Sequence, residues 1–524
     1  MHKSLLVRLP TATVLGALLA ACAVGPNFVR PTLDASDHFV RANTPGLPST
    51  DSAIPKPVVQ DNAEFWQSLG DPQLTALVEQ TLLANHDLRI ALSHYDAANA
   101  LLRGAKLDRL PTITMNAIVS DSRLSADQAP GISRADRDSK SYAAGISAAW
   151  ELDFFGRVRR NVEARRADTD AIAADLQALQ VTIVAEVAND YVSLRGLQER
   201  LQVARQNAQS QAETLQLVDS GLAAGHSTEF DTARARAQLE TTTSLIPALE
   251  AQIAITLHRL AVLSGKQPGA LIAELESPRP LPALPATLDP GTPGELLRRR
   301  PDVAAAEFRL HAATARIGVD TADLFPRFTL GGLLGTQANV SGALFERDSE
   351  TRLVALGVDW SFLDIGRVRA RIAATNADAG GELARFQQTV LLALEDTENA
   401  LVRYGNARLE DQHLQRAATD SARAAELART RYEAGVSSLL EVLDAERITL
   451  QAQDAFAQSR TRSLGGLIQL YRAMAGGWST RLPLRENVAG TAHASHNGDE
   501  PIMEPDASSV VLVRQVQAES SKVN

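Results

Sequence analysis

WELDFFGRVR at residues 150–159 and WSFLDIGRVR at residues 360–369 are two versions of one ten-residue pattern: Trp, five residues, then Gly-Arg-Val-Arg. What flanks them is also duplicated. Upstream of the first copy, Tyr142, Ala144, Ile146, Ala148, Trp150 and Leu152 share one face, and Ala143, Gly145, Ser147, Ala149 and Glu151 share the other. Upstream of the second, Val354, Leu356, Val358, Trp360 and Phe362 alternate with Ala355, Gly357, Asp359 and Ser361. Period two is the signature of a strand. Each of these runs has an earlier partner, opened by Pro111 in the first case and Pro326 in the second, so hairpins are predicted at 112–152 and 327–362. Their strands are about as long as a transmembrane β-strand, roughly 9–11 residues.

Downstream of each Gly-Arg-Val-Arg the pattern turns helical. No proline occurs between Pro130 and Pro247, or from Gly366 to Pro483. A helix from 157 to 220 would run about 95 Å at ~1.5 Å per residue. Ser220-Gly221-Leu222-Ala223-Ala224-Gly225 turns it, and a second helix returns over about 228–264 with a kink or break expected at Pro247. Glu433-Ala434-Gly435 repeats the turn in register. The chain thus divides into a first repeat at 61–265 (a helix, the hairpin 112–152 and a helical hairpin 157–264), a Pro- and Gly-rich linker at 266–294, and a second repeat at 295–478 with hairpins at 327–362 and 367–475. Residues 479–524 are polar and read as a disordered tail.

The N-terminus reads as an export signal. Lys3 and Arg8 precede the small, apolar run Thr13–Ala20, and Leu19-Ala20-Ala21-Cys22 resembles a lipobox. Cys22 is the only cysteine. Residues 1–21 would be removed, and Cys22 would carry diacylglycerol and an N-acyl chain, enough to anchor the protein without a spanning helix. Residues 22–60, rich in Pro, Ser, Thr and Asp, read as a tether. With Cys22 acylated, no thiol is left for a disulfide or a zinc site. The net charge of −10 gives no reason to expect nucleic acid.

Four strands cannot close a membrane barrel, and an open sheet edge cannot face lipid, so further copies of the chain must complete the sheet. Two copies give eight strands and three give twelve, and the wider barrel leaves a lumen. The long, alanine-rich helices would continue it as a tube. Trp150 and Trp360 then stand at strand ends, where an interfacial aromatic belt belongs. Gly156 and Gly366 would let the backbone bend from strand to helix, and Arg157 and Arg367 would meet lipid phosphates.

Taken in order, several motifs make the chain resemble the TolC/OprM-like outer-membrane factors, in the lipoprotein branch (NodT-type components of RND efflux systems). They are Cys22-Ala23-Val24-Gly25-Pro26-Asn27-Phe28, Phe65-Trp66, Asp71-Pro72-Gln73-Leu74, Asn85-His86-Asp87-Leu88, Arg299-Arg300-Pro301-Asp302-Val303, both Gly-Arg-Val-Arg junctions, Arg431–Gly435 and Leu443–Arg447. The resemblance covers nearly everything up to about residue 478. It implies an α+β membrane protein: a homotrimeric twelve-stranded β-barrel in the outer membrane, continued by a periplasmic α-helical barrel and an equatorial domain. It also implies a periplasmic adaptor and an inner-membrane RND transporter as partners, with this chain as their passive exit duct.

The same resemblance places a gate at the periplasmic tip. Leu440 and Asp444 lie one turn apart after Gly435, and Asp231 follows Gly225 in the first repeat, with Glu441 as its aligned counterpart. Rings of such carboxylates would attract cations. Tyr432 and Arg431 match residues that hold the coils closed, and the turns at Gly225 and Gly435 would meet the adaptor. An enzyme reading finds no P-loop, G-x-S-x-G or H-E-x-x-H, and the histidine pair His493 and His496 makes no convincing metal site. Two alternatives stay open: an outer-membrane duct for protein secretion, and a lipid-anchored periplasmic coiled coil, which leaves the four strands unexplained.

Overall fold

A computed structural model describes residues 23–32, 36–42, 44–47, 62–284, 291–475 and 483–485. Cys22, the signal segment and nearly all of the C-terminal tail lie outside the described residues. Those up to Pro483 form one unit, and Leu484 and Arg485 belong to a second.

After a 3-10 turn at Asn62–Leu69 come α1 (Pro72–Ala84) and α2 (His86–Leu107), then β1 (Thr112–Arg123) and β2 (Asp138–Leu152). The helix α3 (Arg157–Ala223) follows, with α4 (Glu229–Thr243) and α5 (Leu245–Leu263) returning beside it. Short helices α6 (Ile272–Leu275) and α7 (Pro293–Arg299) lead into the second repeat: α8 (Pro301–Ala322), β3 (Arg327–Ala338), β4 (Glu350–Asp359), α9 (Ile365–Glu433) and α10 (Leu439–Ala473). The four strands make one antiparallel sheet in sequential order. At 67 and 69 residues, α3 and α9 are each roughly 100 Å long.

Local chemistry sets the boundaries. Asp71 caps α1, its Oδ1 accepting from the N–H groups of Gln73 and Leu74, and Pro72 opens the helix. Pro247 costs its helix a break, but at Ser244, three residues upstream. Restarting there places the proline in the first turn of α5, where its missing N–H is not needed. Both long helices end in the same motif: the N–H of His226 reaches Gly221 O at 2.8 Å, and that of Val436 reaches Arg431 O at 2.9 Å. Gly225 and Gly435 supply the left-handed residue, with φ of 74° and 71°.

The main core sits where α1, α2, α5 and α6 wrap the middle of α3 and α9 and the end of α10. Phe65 stacks on Tyr471 at 4.7 Å, and Leu74, Leu88, Val187, Leu194, Leu260, Leu467 and Ile468 are buried among them. α3 and the stretch Glu229–Leu263 are long and apolar enough to cross a membrane by length and composition. In α3, however, the apolar residues from Leu176 to Leu194 are spent on this core.

Several expectations need correction. Residues 266–294 are more than a linker, because Leu271, Leu275 and Leu281 are buried in the main core. The described part of the tether is packed: Phe39 enters the core, and the N–H groups of Val40 and Arg41 donate to Glu398 at 2.7 and 3.0 Å. The fourth strand stops at Asp359, so Trp360 stands just past its end and Phe362 opens a 3-10 turn.

Candidate functional site: an amphipathic sheet, its junctions and a helical tip

Strand register decides which side chains share a face. Met115 pairs with Ile146, Ile146 with Leu334, and Trp150 with Leu330, which in turn pairs with Leu356. One face of the sheet is therefore Ile113, Met115, Val119, Ile146, Trp150, Phe328, Leu330, Leu334, Val354, Leu356 and Val358. The opposite face carries Thr114, Asn116, Ser147, Glu151, Thr329, Gln337 and Thr351 among small residues, with Ile118, Leu333 and Leu353 between them, and Arg352 is a cation on the first face. Apolar side chains on the first face stand open: Met115 is 81% exposed and Val354 82%. Such a surface is stable against lipid on one side and water on the other. Among the described residues the outer edges of β1 and β4 have no strand partner.

The two junctions share one device and differ in another. Trp150 Nε1 donates to Arg109 O at 3.0 Å, and Trp360 Nε1 donates to Leu324 O at 3.1 Å. Each indole ties the end of a strand to the segment between the preceding helix and its own hairpin. This is why the Trp recurs. The glycines are not equivalent. Gly156 caps α3 with φ of 84°, as expected for a bend. Gly366 lies inside α9 in ordinary helical geometry, and the bend is made by the 3-10 turn Phe362–Asp364 instead. Arg157 is half-buried and paired with Glu151, whereas Arg367 is exposed, 3.5 Å from Asp364.

Nothing in the local pattern signals what Gly156 touches. A Cβ there would come within 2.6 Å of Ala23. The N-terminal segment docks at this junction: Val24 N–H reaches Phe155 O at 3.0 Å, Arg160 Nη2 reaches Asn27 Oδ1 at 2.6 Å, and Phe28 stacks on His311 at 4.5 Å. The segment that follows Cys22 is thus held beside the end of the sheet.

The quoted motifs turn out to be helix closures. Asn85 Nδ2 donates to Leu263 O at 2.9 Å, at the end of α5. In the second repeat Arg300 Nη1 reaches Ala473 O at 2.9 Å and Arg299 Nη2 reaches Met474 O at 2.6 Å, at the end of α10. Orphan carbonyls at a helix C-terminus favour such donors. Burial alone pulls the Arg299 guanidinium below its usual range, against the weaker pull of Glu295.

Sequence reasoning missed Arg195, which is fully buried in α3. It donates to Gln198 Oε1 at 2.6 Å, Leu275 O at 3.2 Å and Ser277 O at 3.0 Å, with Gln73 Oε1 as a further acceptor. Its guanidinium lies 4.9 Å from the centre of the Tyr191 ring. Burial, with Asp71 accepting the hydroxyl proton, pushes Tyr191 up to about 12. The available signal was a lone charge in the apolar stripe Val187-Ala188-Tyr191-Val192-Leu194.

At the helical tip, Val218, Ala235, Leu439 and Leu443 form an apolar cluster with Tyr432 packed on it. Arg431 is exposed on the last turn of α9, and Leu440 is half exposed. Asp231 is a capping residue: its Oδ2 accepts from the Thr228 N–H at 3.0 Å and the Thr228 hydroxyl at 2.7 Å. Those bonds hold its carboxyl below the usual range. Asp444 pairs with Arg447 at 2.6 Å on the same helix. The counterpart of Asp444 in the first repeat is Arg234, which lies over the Phe230 ring at 5.6 Å, so the two repeats present opposite charges here.

The pattern that defines outer membrane efflux proteins matches residues 77–266 and 292–476, both repeats in full order. The chain belongs to that family. Similar proteins include nodulation protein T of Rhizobium leguminosarum bv. trifolii, 31% identical over 86% of this chain and 93% of the relative. Outer membrane protein OprJ of Pseudomonas aeruginosa is 32% identical over 89% of this chain and 95% of its own length. The solved structure of the outer-membrane channel OprN superposes with a TM-score of 0.80 at 40% identity, covering 87% of this chain and all of that one. This outer membrane efflux protein is an exit duct in the outer membrane that extends into the periplasm.

Proposed function

We propose that three copies of this chain close a twelve-stranded barrel and a continuous periplasmic helical tube. In this reading the assembly passively conducts small molecules delivered by an inner-membrane RND transporter through a periplasmic adaptor. The observation that carries it is the four-stranded sheet, with one face richer in large apolar side chains and, among the described residues, two unpaired edges. Lipid does not tolerate those edges, and only neighbouring copies can cover them in the same ladder. The proton-driven partner would supply the energy, because a duct of this kind has no means of its own.

The gate stands at the tip. Leu440 with Asp444 on α10, and Asp231 on α4, form the rings that narrow it, with Tyr432 and Arg431 bracing the coils and the Gly225 and Gly435 turns meeting the adaptor. Cys22, acylated, anchors each copy beside the first junction, where Ala23 docks. Conductance of the purified full-length protein in planar bilayers tests the gate. The double variant Asp444→Ala with Asp231→Ala is expected to conduct more and to prefer cations less. Unchanged currents and selectivity would reject these residues as the constriction.

A further inference from the structure

The seam between α3 and α10 changes character just above the tip. At the end it is apolar, with Val218 against Leu439 and Leu443. Farther up it is polar: Thr214 to Glu446 at 2.7 Å, Asn207 to Gln453 at 2.8 Å, Arg200 to Asp454 at 2.6 Å and Arg460 to Glu199 at 2.7 Å. At the boundary sits a carboxyl with half its needs unmet. Glu446 is only 8% exposed, its Oε1 takes the Thr214 hydroxyl, and its Oε2 is buried without a hydrogen-bond partner. One turn from Thr214, Gln211 is 2% exposed, and neither of its amide atoms has a partner. Glu446 also lines a cavity of about 320 Å³ between α3, α9 and α10, with Asn207, Ser210, Arg429, Thr449 and Gln453.

An ionised carboxylate with one bare, buried oxygen is costly, whereas a neutral carboxyl keeps its proton and loses little. Burial pushes Glu446 up, and the Thr214 hydroxyl and then Arg429 pull the other way. The surroundings offer little more. From α3 come Thr214 and Gln211. From α9 come Glu426 and Arg429, the latter already held by Glu213 and Glu433 at 3.3 and 3.5 Å. On α10 itself Thr449 and Gln453 share the cavity, and α4 reaches the adjoining apolar cluster through Ala235.

We infer that Glu446 is a proton-linked latch of the closed duct, holding the α3–α10 seam shut when protonated and releasing it when ionised. This rests on the proposed reading that the periplasmic end opens by separating its helices. The sign follows from linkage. The closed seam holds the proton more tightly than an opened seam in which the carboxylate meets water, so acid favours closure. The open fraction rises as pH climbs above the ordinary carboxylate range.

The test is single-channel recording of the full-length protein in planar bilayers at fixed salt, stepping from pH 5 to pH 8. The wild type is expected to show a severalfold rise in open fraction, and Glu446→Gln to stay at the low-pH level throughout. A variant acting through packing alone would shift the open fraction equally at every pH. Thr214→Val removes the one bond to Oε1 and is expected to move the wild-type transition to higher pH, which keeps the question answerable if Glu446→Gln fails to assemble. A pH response that persists unchanged in Glu446→Gln, or an unmoved transition in Thr214→Val, overturns the latch. The Asp444→Ala, Asp231→Ala double variant, recorded alongside, reports separately on the gate.

Discussion

Gly156 and Gly366 occupy the same place in the same motif, and the structure assigns them opposite responses to alanine. Gly156→Ala must hold a left-handed backbone at φ of 84°, which costs an L-residue roughly 1–2 kcal/mol. Its methyl would also lie 2.6 Å from Ala23, forcing the N-terminal segment away and breaking the Val24 N–H bond to Phe155 O. A lost bond of that kind costs about 1 kcal/mol, which brings the total to roughly 2–3 kcal/mol. Gly366→Ala meets nothing within 4 Å and sits in a helix. There alanine is expected to stabilise by about 0.5–1 kcal/mol. Thermal unfolding of the two full-length variants in one detergent, followed by circular dichroism, measures the contrast. Limited proteolysis should also find the N-terminal segment more accessible in Gly156→Ala only. Equal destabilisation by both substitutions, or a silent Gly156→Ala, would refute the docking geometry.

Other outcomes follow from the same reasoning. Arg195→Met leaves Ser277 O and Gln73 Oε1 short of a donor, so stability should fall by roughly 2–4 kcal/mol and protease should reach residues 266–284 sooner. Arg195→Lys should rescue little, because an ammonium cannot reproduce the planar fork. Burial, with Glu186 adding to it against the pull of Arg259, raises Asp190 to about 6. Its contribution to stability is therefore present below the ordinary aspartate value of about 4 and lost as pH rises through 6. Asp190→Asn should then be more stable than wild type at neutral pH and no different in acid, as thermal melts across pH would show. Cys22→Ser should abolish incorporation of labelled palmitate, and continued labelling would sink the lipobox reading.

Much of this architecture was legible because it rests on period and punctuation. Pro111 and Pro326 mark where period 3.6 gives way to period two, and Gly225 and Gly435 mark the turns, since only glycine enters the left-handed residue freely. The illegible parts depend on partners far away in sequence. Gly366 copies Gly156 in letters, but the N-terminal segment docks at only one of them. Leu271, Leu275 and Leu281 looked like linker because their spacing follows no period, although the core needs all three. The role of Arg299 and Arg300 could not be read from a motif, since the carbonyls they close lie more than 170 residues away. At the tip the acidic pattern was visible, but the capping bond of Asp231 and the burial of Glu446 were not.

The barrel stands or falls on whether neighbouring copies cover the free edges of β1 and β4. Its most direct test is the mass of the detergent-extracted outer-membrane complex, corrected for bound detergent. Three copies of the chain are expected, enough to close twelve strands around an open lumen. A single-chain mass would leave both edges bare in lipid and contradict the barrel.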